Sequence, residues 1–467
     1  MGRAIHDSDS HGSCLVSAGL QAESPGPEST AGAGSAAAMW QLCQGLFPLA
    51  RSLTGAGVRQ SLDLLEQAID GQGESDAPEL QRFSVPSGTA VFDWTVPREW
   101  EVRHARLIGP DGQVVIDHAN HNLHLMGYSV PIHATMSLAE LAPHLHTLPV
   151  HPDWIPYRTS YYADNWGFCL TERQRRSLQD GTYQVDIDTR LFDGQMDWAE
   201  VFLPGDSDDE ILISTHICHP SLANDNLSGI AVATGMINAL AKRQRRLGVR
   251  FVFVPATIGA IAWLAHNQRR LGAIRHSLVL SNLGDAGPFH YKSSVSGQSA
   301  LDRVFAHLSN SEPAFSSLAV MPFSPYGYDE RQYNSPGIAL NAGSLMRTPF
   351  GQYPQYHTSA DNLDFISASA LQESLELCLL AIEALQTDRI YRNLSPMGEP
   401  QLGRRGLYRA IGGDNQGQQR QLAMLWLLNQ ADGTRSLLDV AQRAGLSCQL
   451  LASVADELLQ AGLLEAI

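Results

Sequence analysis

A chain of 467 residues exceeds one ordinary domain and sets an expectation of about two to four. Its composition, 44% apolar and 17% charged without any run of about 18 apolar residues, is that of a soluble globular protein and excludes a membrane-spanning one. A net charge of -16 argues against a nucleic-acid partner, because phosphate backbones are held by clustered Lys and Arg, which are outnumbered here.

Residues 1–38, with ESPGPESTAGAGSAAA, are rich in Gly, Ser, Ala and Pro and lack the basic and apolar regions of a secretory signal, so they read as a disordered tail. Cys14, Cys43, Cys169, Cys218, Cys378 and Cys448 are scattered without CxxC pairs, which fits reduced thiols and a cytoplasmic location. From Trp40 to Ile69 the spacing of Leu42, Leu46, Leu49, Leu53, Leu62, Leu65 and Ile69, broken by Gly55 and Gly57, predicts two amphipathic helices and a turn. A β-rich stretch opens near residue 80. Its alternating apolar residues, prolines and PDG turn predict strands and hairpins, with a short helix at MSLAELAPHL, and residues 95–180 read as an inserted domain.

Past it, EILISTHI, GIAVATGMINALAKRQRR, VRFVFVPA, IGAIAWLAHNQRR and HSLVLSNLGD alternate short apolar runs with amphipathic stretches. That is the pattern of an α/β domain with a mostly parallel sheet flanked by helices, assigned to 39–94 and 181–400. Functional loops in such sheets lie at the carboxyl ends of the strands, here HICHPSLANDN, PATIG and NLGD. Residues 406–467 hold three helical stretches spaced like a winged helix. The third carries Asp456 and Glu457 and no Lys or Arg, which favours a structural module or a protein partner over DNA reading.

Chemistry concentrates in ILISTHICHPSLANDNLSG, where a buried strand runs into His216 and His219 and Asp225 follows before a helix, and in QYHTSADNLDF with His357. Imidazole and carboxylate are standard Zn²⁺ ligands. Asp225 and Ser228 can equally cap a helix starting near Leu227, and Asp361 one starting after Asn362, without any metal.

The stretch STHICHPSLANDNLSG resembles the first metal-binding segment of the zinc aminopeptidases of peptidase clan MH, with Asp225 to Gly229 matching their Asp-Asn-x-Ser-Gly. Together with FPLARSLTGAGVRQ, VPSGTAVFDWTVPREW, TSYYADNWGFCL, SPYGYDERQY and YPQYHTSADNLDF, it resembles a bacterial branch of that clan that bears a β-rich insertion and a C-terminal winged helix. The resemblance covers nearly everything after residue 39. It implies one or two zinc ions, with His219 or else His216 as a ligand, Asp225 bridging, His357 on the second ion and Asp285 of NLGD as a further carboxylate. For Asp285 a solvated turn residue is the competing reading.

The peptidases carry two adjacent glutamates where this chain has Ala256-Thr257, so the roles of general base and metal ligand are vacant or filled from elsewhere. Glu330 of YGYDERQY is the expected substitute, and ion pairing of Asp329, Glu330 and Arg331 at a loop surface is the competing reading. Asp329, Glu330 and Asp361 are candidates for a substrate amine, Tyr326, Tyr333 and Tyr356 for the pocket wall, and Arg347 for a substrate carboxylate or phosphate unless it is a buried structural Arg. The implied activity is zinc-dependent hydrolysis of a small peptide, aminoacyl compound or amide. The alternative is a catalytically retired metal-binding or partner-binding protein of a polysaccharide or secondary-metabolite pathway, which the missing glutamates favour.

Overall fold

The computed structural model describes residues 30–69, 77–407 and 415–467. Helix α1 (Thr30–Leu46) begins inside the stretch expected to be a disordered tail, because TAGAGSAAA has enough alanine to propagate a helix whose later turns bury Met39, Leu42, Cys43 and Leu46. The remainder of the expected tail lies outside the described residues. Helix α2 (Ala56–Ala68) follows a turn at Gly55, which takes φ 99° and whose added Cβ would lie 2.7 Å from the Trp100 carbonyl oxygen.

Eight strands form the main sheet: β1 (Leu80–Pro86), β2 (Gln195–Leu203), β3 (Glu210–His216), β4 (Gly248–Val254), β5 (Ile274–Leu280), β6 (His290–Lys292), β7 (Ala319–Met321) and β8 (Gly343–Met346). Their spatial order is β1-β2-β4-β3-β5-β8-β6-β7. The central four, β4, β3, β5 and β8, run parallel, while β1 and β2 add antiparallel at one edge and β6 pairs antiparallel with β8 at the other. Every residue of β3 and β4 is buried, as a strand covered on both faces requires. The cover comes from α1, α2, α3 (Gly229–Ala241), α4 (Ile258–His266), α5 (Ala300–Ser311) and α6 (Ala368–Thr387). α5 is started by a reciprocal capping box between Ser299 and Asp302.

The β-rich insertion is wider than the 95–180 expected from sequence. Its antiparallel four-stranded sheet places Val114–Asp117, Glu99–Ile108, Thr182–Phe192 and Ile132–Ser137 side by side, so Thr182–Phe192 belongs to this sheet and not to the main one. TYQVDIDTRLF alternates from Thr182 to Arg190 as a half-buried strand, a pattern that fixes which residues face inward but not which sheet receives it. The C-terminal unit likewise starts earlier than 406. Strand Ile390–Asn393 pairs antiparallel with both Asp432–Ser436 and Leu464–Ala466, and three helices, α7 (Asn415–Gln430), α8 (Leu437–Ala444) and α9 (Cys448–Gln460), complete it.

This unit is joined to the α/β domain through one continuous apolar core. Leu451, Val454 and Leu458 of α9 belong to the same buried cluster as Leu377, Ala381 and Leu385 of α6. At the seam Arg303 Nη2 lies 2.6 Å from Asp439 Oδ1, and His307 Nε2 lies 3.0 Å from the Leu446 carbonyl oxygen. The outward residues of α9 are Gln449, Ser453, Asp456 and Gln460, which present no positive charge. No described helix is long and apolar enough to cross a membrane, and the five described cysteines are buried and free.

Candidate metal centre

The candidate site sits at the carboxyl end of β3, where the strand delivers His216 and the chain loops back to bring His219 beside it. Arg51, buried under the loop, fixes that return: its Nε and Nη2 donate to the His219 carbonyl oxygen at 3.0 and 2.7 Å, and its Nη1 donates to the Leu46 carbonyl oxygen at 2.5 Å. Residues 223–225 are pinned from the other side by Asp361, which accepts the backbone N–H of Asn224 at 2.6 Å and of Asp225 at 3.0 Å. His357 lies on the preceding turn with φ 56°, and the insertion is stitched to it, since Tyr157 N–H donates to the His357 carbonyl oxygen at 2.8 Å and Ser359 N–H to that of Ile155 at 2.8 Å.

Three imidazoles thus converge on one carboxylate. His216 Nε2 is 2.9 Å from Asp225 Oδ1 and 3.1 Å from His219 Nδ1, while His219 Nδ1 and His357 Nε2 are 3.5 and 3.0 Å from Asp225 Oδ2. Candidate ligand atoms of His216, His219 and Asp225 all lie within 4.8 Å of one another. Zinc bonds of about 2.0–2.1 Å in a tetrahedron put neighbouring ligand atoms about 3.3 Å apart, so the spacings fit that donor set. Two imidazoles and a carboxylate leave a fourth position open, as in catalytic rather than structural zinc sites. His357 stands on the outer oxygen of Asp225. Helix capping does not explain Asp225, whose oxygens go to the imidazoles and to Tyr328, and Asn362 rather than Asp361 caps the following turn.

The electrostatics favour ligands in their metal-binding forms. Burial alone would raise Asp225, but the charge of His219 and hydrogen bonds from His216, His219 and His357 hold it well below the usual carboxylate range. Burial depresses His219 and His357, and Asp225 offsets part of that for each, so both imidazoles remain neutral below the ordinary histidine value.

Other sequence candidates fall elsewhere. Asp285 is engaged in a turn, accepting from Asn224 Nδ2 at 2.9 Å, Gly287 N at 2.7 Å, Thr348 N at 3.2 Å and Thr348 Oγ1 at 2.7 Å, and its role is to tie the 224 loop to the end of β8. Glu330 is buried in an ion pair with Lys292 and accepts Tyr328 N–H at 3.1 Å, so it is not a free base, and the pairing is internal instead of at a loop surface. Arg347 is structural: its Nη1 donates to the Gly287 carbonyl oxygen at 2.9 Å, Glu373 pairs with it, and its guanidinium lies 4.2 Å over the Phe289 ring. Tyr333 is buried against Ser214 at 2.8 Å, away from any pocket wall, and Tyr326 is 73% exposed at the rim beside Phe350. Asp329 is fully buried, with neither oxygen hydrogen-bonded.

Two residues missed from the sequence complete the site. The Tyr328 hydroxyl donates to Asp225 Oδ2 at 2.7 Å, meets the Tyr356 hydroxyl, and its ring stacks on His216 at 4.6 Å. Tyr157, from the insertion, sets its ring edge-on to His219 and His357 at 5.4 and 5.2 Å. The tyrosine-rich segments SPYGYDERQY and TSYYADNWGF mark the neighbourhood, but nothing in their spacing says which hydroxyl points inward.

With that geometry in view, the comparisons with known proteins are specific. A family model described as a domain of unknown function (DUF4910) matches residues 40–388, and one described as a winged helix-turn-helix (HTH_47) matches residues 389–466. A Clostridium acetobutylicum protein is 43% identical over 429 residues, 92% of this chain and 96% of the relative; its name assigns it provisionally to polysaccharide biosynthesis, with an aminopeptidase-like domain. A crystal structure from Clostridium acetobutylicum, provisionally described as a peptidase, superposes with a TM-score of 0.86 at 41% identity, covering 93% of this chain and 97% of the other. A zinc aminopeptidase from Bacillus subtilis shares the fold, with a TM-score of 0.56 at 14% identity over 76% of this chain and 95% of its own. The chain therefore belongs to the DUF4910 family, with a zinc-aminopeptidase-like α/β fold and a C-terminal winged helix-turn-helix.

Proposed function

We propose that this protein is a zinc-dependent hydrolase of a small peptide, aminoacyl compound or amide, acting in the manner of an aminopeptidase. The observation that carries the reading is the convergence of His216, His219 and Asp225 on one buried point, with His357 on the remaining carboxylate oxygen. One ion held by His216, His219 and Asp225 accounts for that geometry. Bound there, zinc supplies a polarised substrate carbonyl and a water acidified toward neutrality. Tyr328, which burial keeps protonated well above neutral pH, donates its hydroxyl hydrogen to Asp225 Oδ2 and, with Tyr356 against that hydroxyl, steadies the carboxylate that would hold the ion. Tyr157 walls the site and excludes water from the imidazole faces.

Metal content per chain, measured by mass spectrometry on protein purified without chelators, tests the reading together with cleavage of an aminoacyl substrate panel. About one zinc per chain, lost in His219→Ala, and turnover abolished by chelation support it. Absence of bound metal even after zinc is added back sinks it. Ala256 and Thr257 favour a second reading, a partner-binding protein of a polysaccharide pathway as the name of the Clostridium relative suggests. Zinc uptake without turnover on any amide supports that alternative.

A further inference from the structure

Amide hydrolysis moves a proton twice, off the attacking water and onto the leaving nitrogen, so a hydrolytic site needs an acid–base group that is not already committed. The acids around this one are mostly committed. Asp225 serves the three imidazoles and Tyr328, Asp361 holds the backbone of Asn224 and Asp225, Asp285 ties the Thr348 turn, and Glu330 neutralises Lys292. Asp329 differs from all of them. It is 0% exposed, and neither carboxyl oxygen meets a hydrogen-bond donor. Burying an unpaired carboxyl costs several kcal/mol by transfer measures of order 2–7 kcal/mol, and a fold retains such a group where it has work to do.

Its position is equally specific. Asp329 directly follows Tyr328, whose hydroxyl is on Asp225, and stands at the N-terminal end of the turn Glu330–Tyr333. That turn packs against α4, the helix entered from Ala256 and Thr257. Cys218, between His216 and His219 in sequence, accepts the Ala256 N–H at 3.3 Å and lies in the electrostatic reach of both Asp329 and Asp225. Chain adjacency to Tyr328 and the packing of its turn on α4 thus put Asp329 on the side of the site where the chain passes Ala256 and Thr257. Burial and the neighbouring Glu330 push Asp329 up to about 8, so the group can both hold and release a proton near neutral pH.

We propose that Asp329 is the proton-transfer residue of this site. Its carboxylate takes a proton from water as the new C–O bond forms, and the resulting acid returns that proton to nitrogen as the C–N bond breaks. The proposal rests on the hydrolase reading above.

The test uses the full chain loaded with Co²⁺, whose visible spectrum is followed against pH in the unmodified protein, Asp329→Asn and Asp329→Glu. Asp329→Asn is expected to bind the same equivalents of cobalt while the midpoint of its spectral titration moves by about one pH unit, with Asp329→Glu in between. Turnover of any cleaved aminoacyl anilide should fall about 10²–10⁴-fold in Asp329→Asn and recover in part in Asp329→Glu. The spectral midpoint decides: full cobalt uptake with an unmoved midpoint in Asp329→Asn overturns the role of Asp329 alone. Failure of the unmodified chain to take up cobalt overturns the hydrolase reading, and this role with it. Should Asp329→Asn not fold, an unmoved midpoint in Asp329→Glu overturns the proposal in the same way.

Discussion

Neutralising Glu330 tests whether the acid that looks catalytic in the sequence is holding the site's scaffold instead. The Lys292 and Glu330 side chains are 5% and 1% exposed and pair with each other. Lys292 Nζ also donates to the carbonyl oxygens of Ser324 at 3.3 Å and Tyr326 at 2.9 Å, so it anchors the segment that presents Tyr328 to Asp225. Glu330→Gln leaves a buried ammonium facing two carbonyls and an amide, and Lys292→Met leaves a buried carboxylate with one backbone N–H. Removing one partner of a buried pair typically costs about 3–5 kcal/mol, because the survivor is desolvated without compensation. The double variant replaces both charges at once and should be no less stable than either single, a coupling of about 3 kcal/mol or more in the cycle. Urea unfolding followed by tryptophan fluorescence at pH 7 reads all four proteins, with unchanged m-values as the check that midpoints report stability. A Glu330→Gln protein within about 0.5 kcal/mol of the unmodified one, yet lacking turnover, would refute the structural role and restore Glu330 as the proton acceptor.

Zinc uptake should be abolished in His216→Ala and His219→Ala but only weakened, about 10–100-fold, in His357→Ala, if His357 orients Asp225 from outside the ligand set; equilibrium dialysis against a zinc buffer separates these cases. Because the raised Asp329 contributes stability that is present below about pH 4 and lost as pH rises through about 8, Asp329→Asn should be more stable than the unmodified apoprotein at pH 8. The gain, on the order of 5 kcal/mol at most, should shrink toward pH 4 in urea midpoints, and a gain that is equal at both pH values contradicts the assignment. Replacing Arg51 by Met strips two donors from the His219 carbonyl and should cost about 2–4 kcal/mol along with much of the zinc affinity, read by unfolding and metal content together. The cation-free outer face of α9 predicts no salt-sensitive duplex binding by fluorescence anisotropy.

How far the sequence reaches depends on the range of the interaction concerned. Alternating apolar runs announced the sheet and its helices because burial on two faces is a local compositional demand, met residue by residue in β3 and β4. HICHPSLANDN was legible for a related reason, since a buried strand that ends in histidines leaves few places for them to go. Asp285 and Glu330 misled because an acid at a strand end or in a loop looks the same in sequence whether it is free or paired. What distinguishes them is Thr348, 63 residues from Asp285, and Lys292, 38 residues from Glu330. The strand Thr182–Phe192 was visible as a strand, yet its partners at Glu99–Ile108 and Ile132–Ser137 lie dozens of residues upstream, so its sheet was not.

The site's aromatic and cationic parts lie beyond the reach of local sequence for the same reason. Tyr157 reaches His219 and His357 because the insertion folds back and pairs Ile155 with Ser359 across 204 residues of chain. Arg51 grips the His219 carbonyl across 168 residues. Each contact fixes one edge of the cluster: the α1–α2 turn sets the His219 backbone, Asp361 sets Asp225, and the insertion sets His357. Three imidazoles and a carboxylate are held from three independent directions, so the hydrolase reading expects a site formed before an ion binds and not one that collapses around it. The insertion therefore lines the candidate centre through Tyr157 and braces the His357 turn. Breaking the Ile155–Ser359 pairing, for example with Ser359→Pro, should lower zinc affinity although neither residue touches a ligand atom, and unchanged affinity in that folded variant would confine the insertion to shielding the site from solvent.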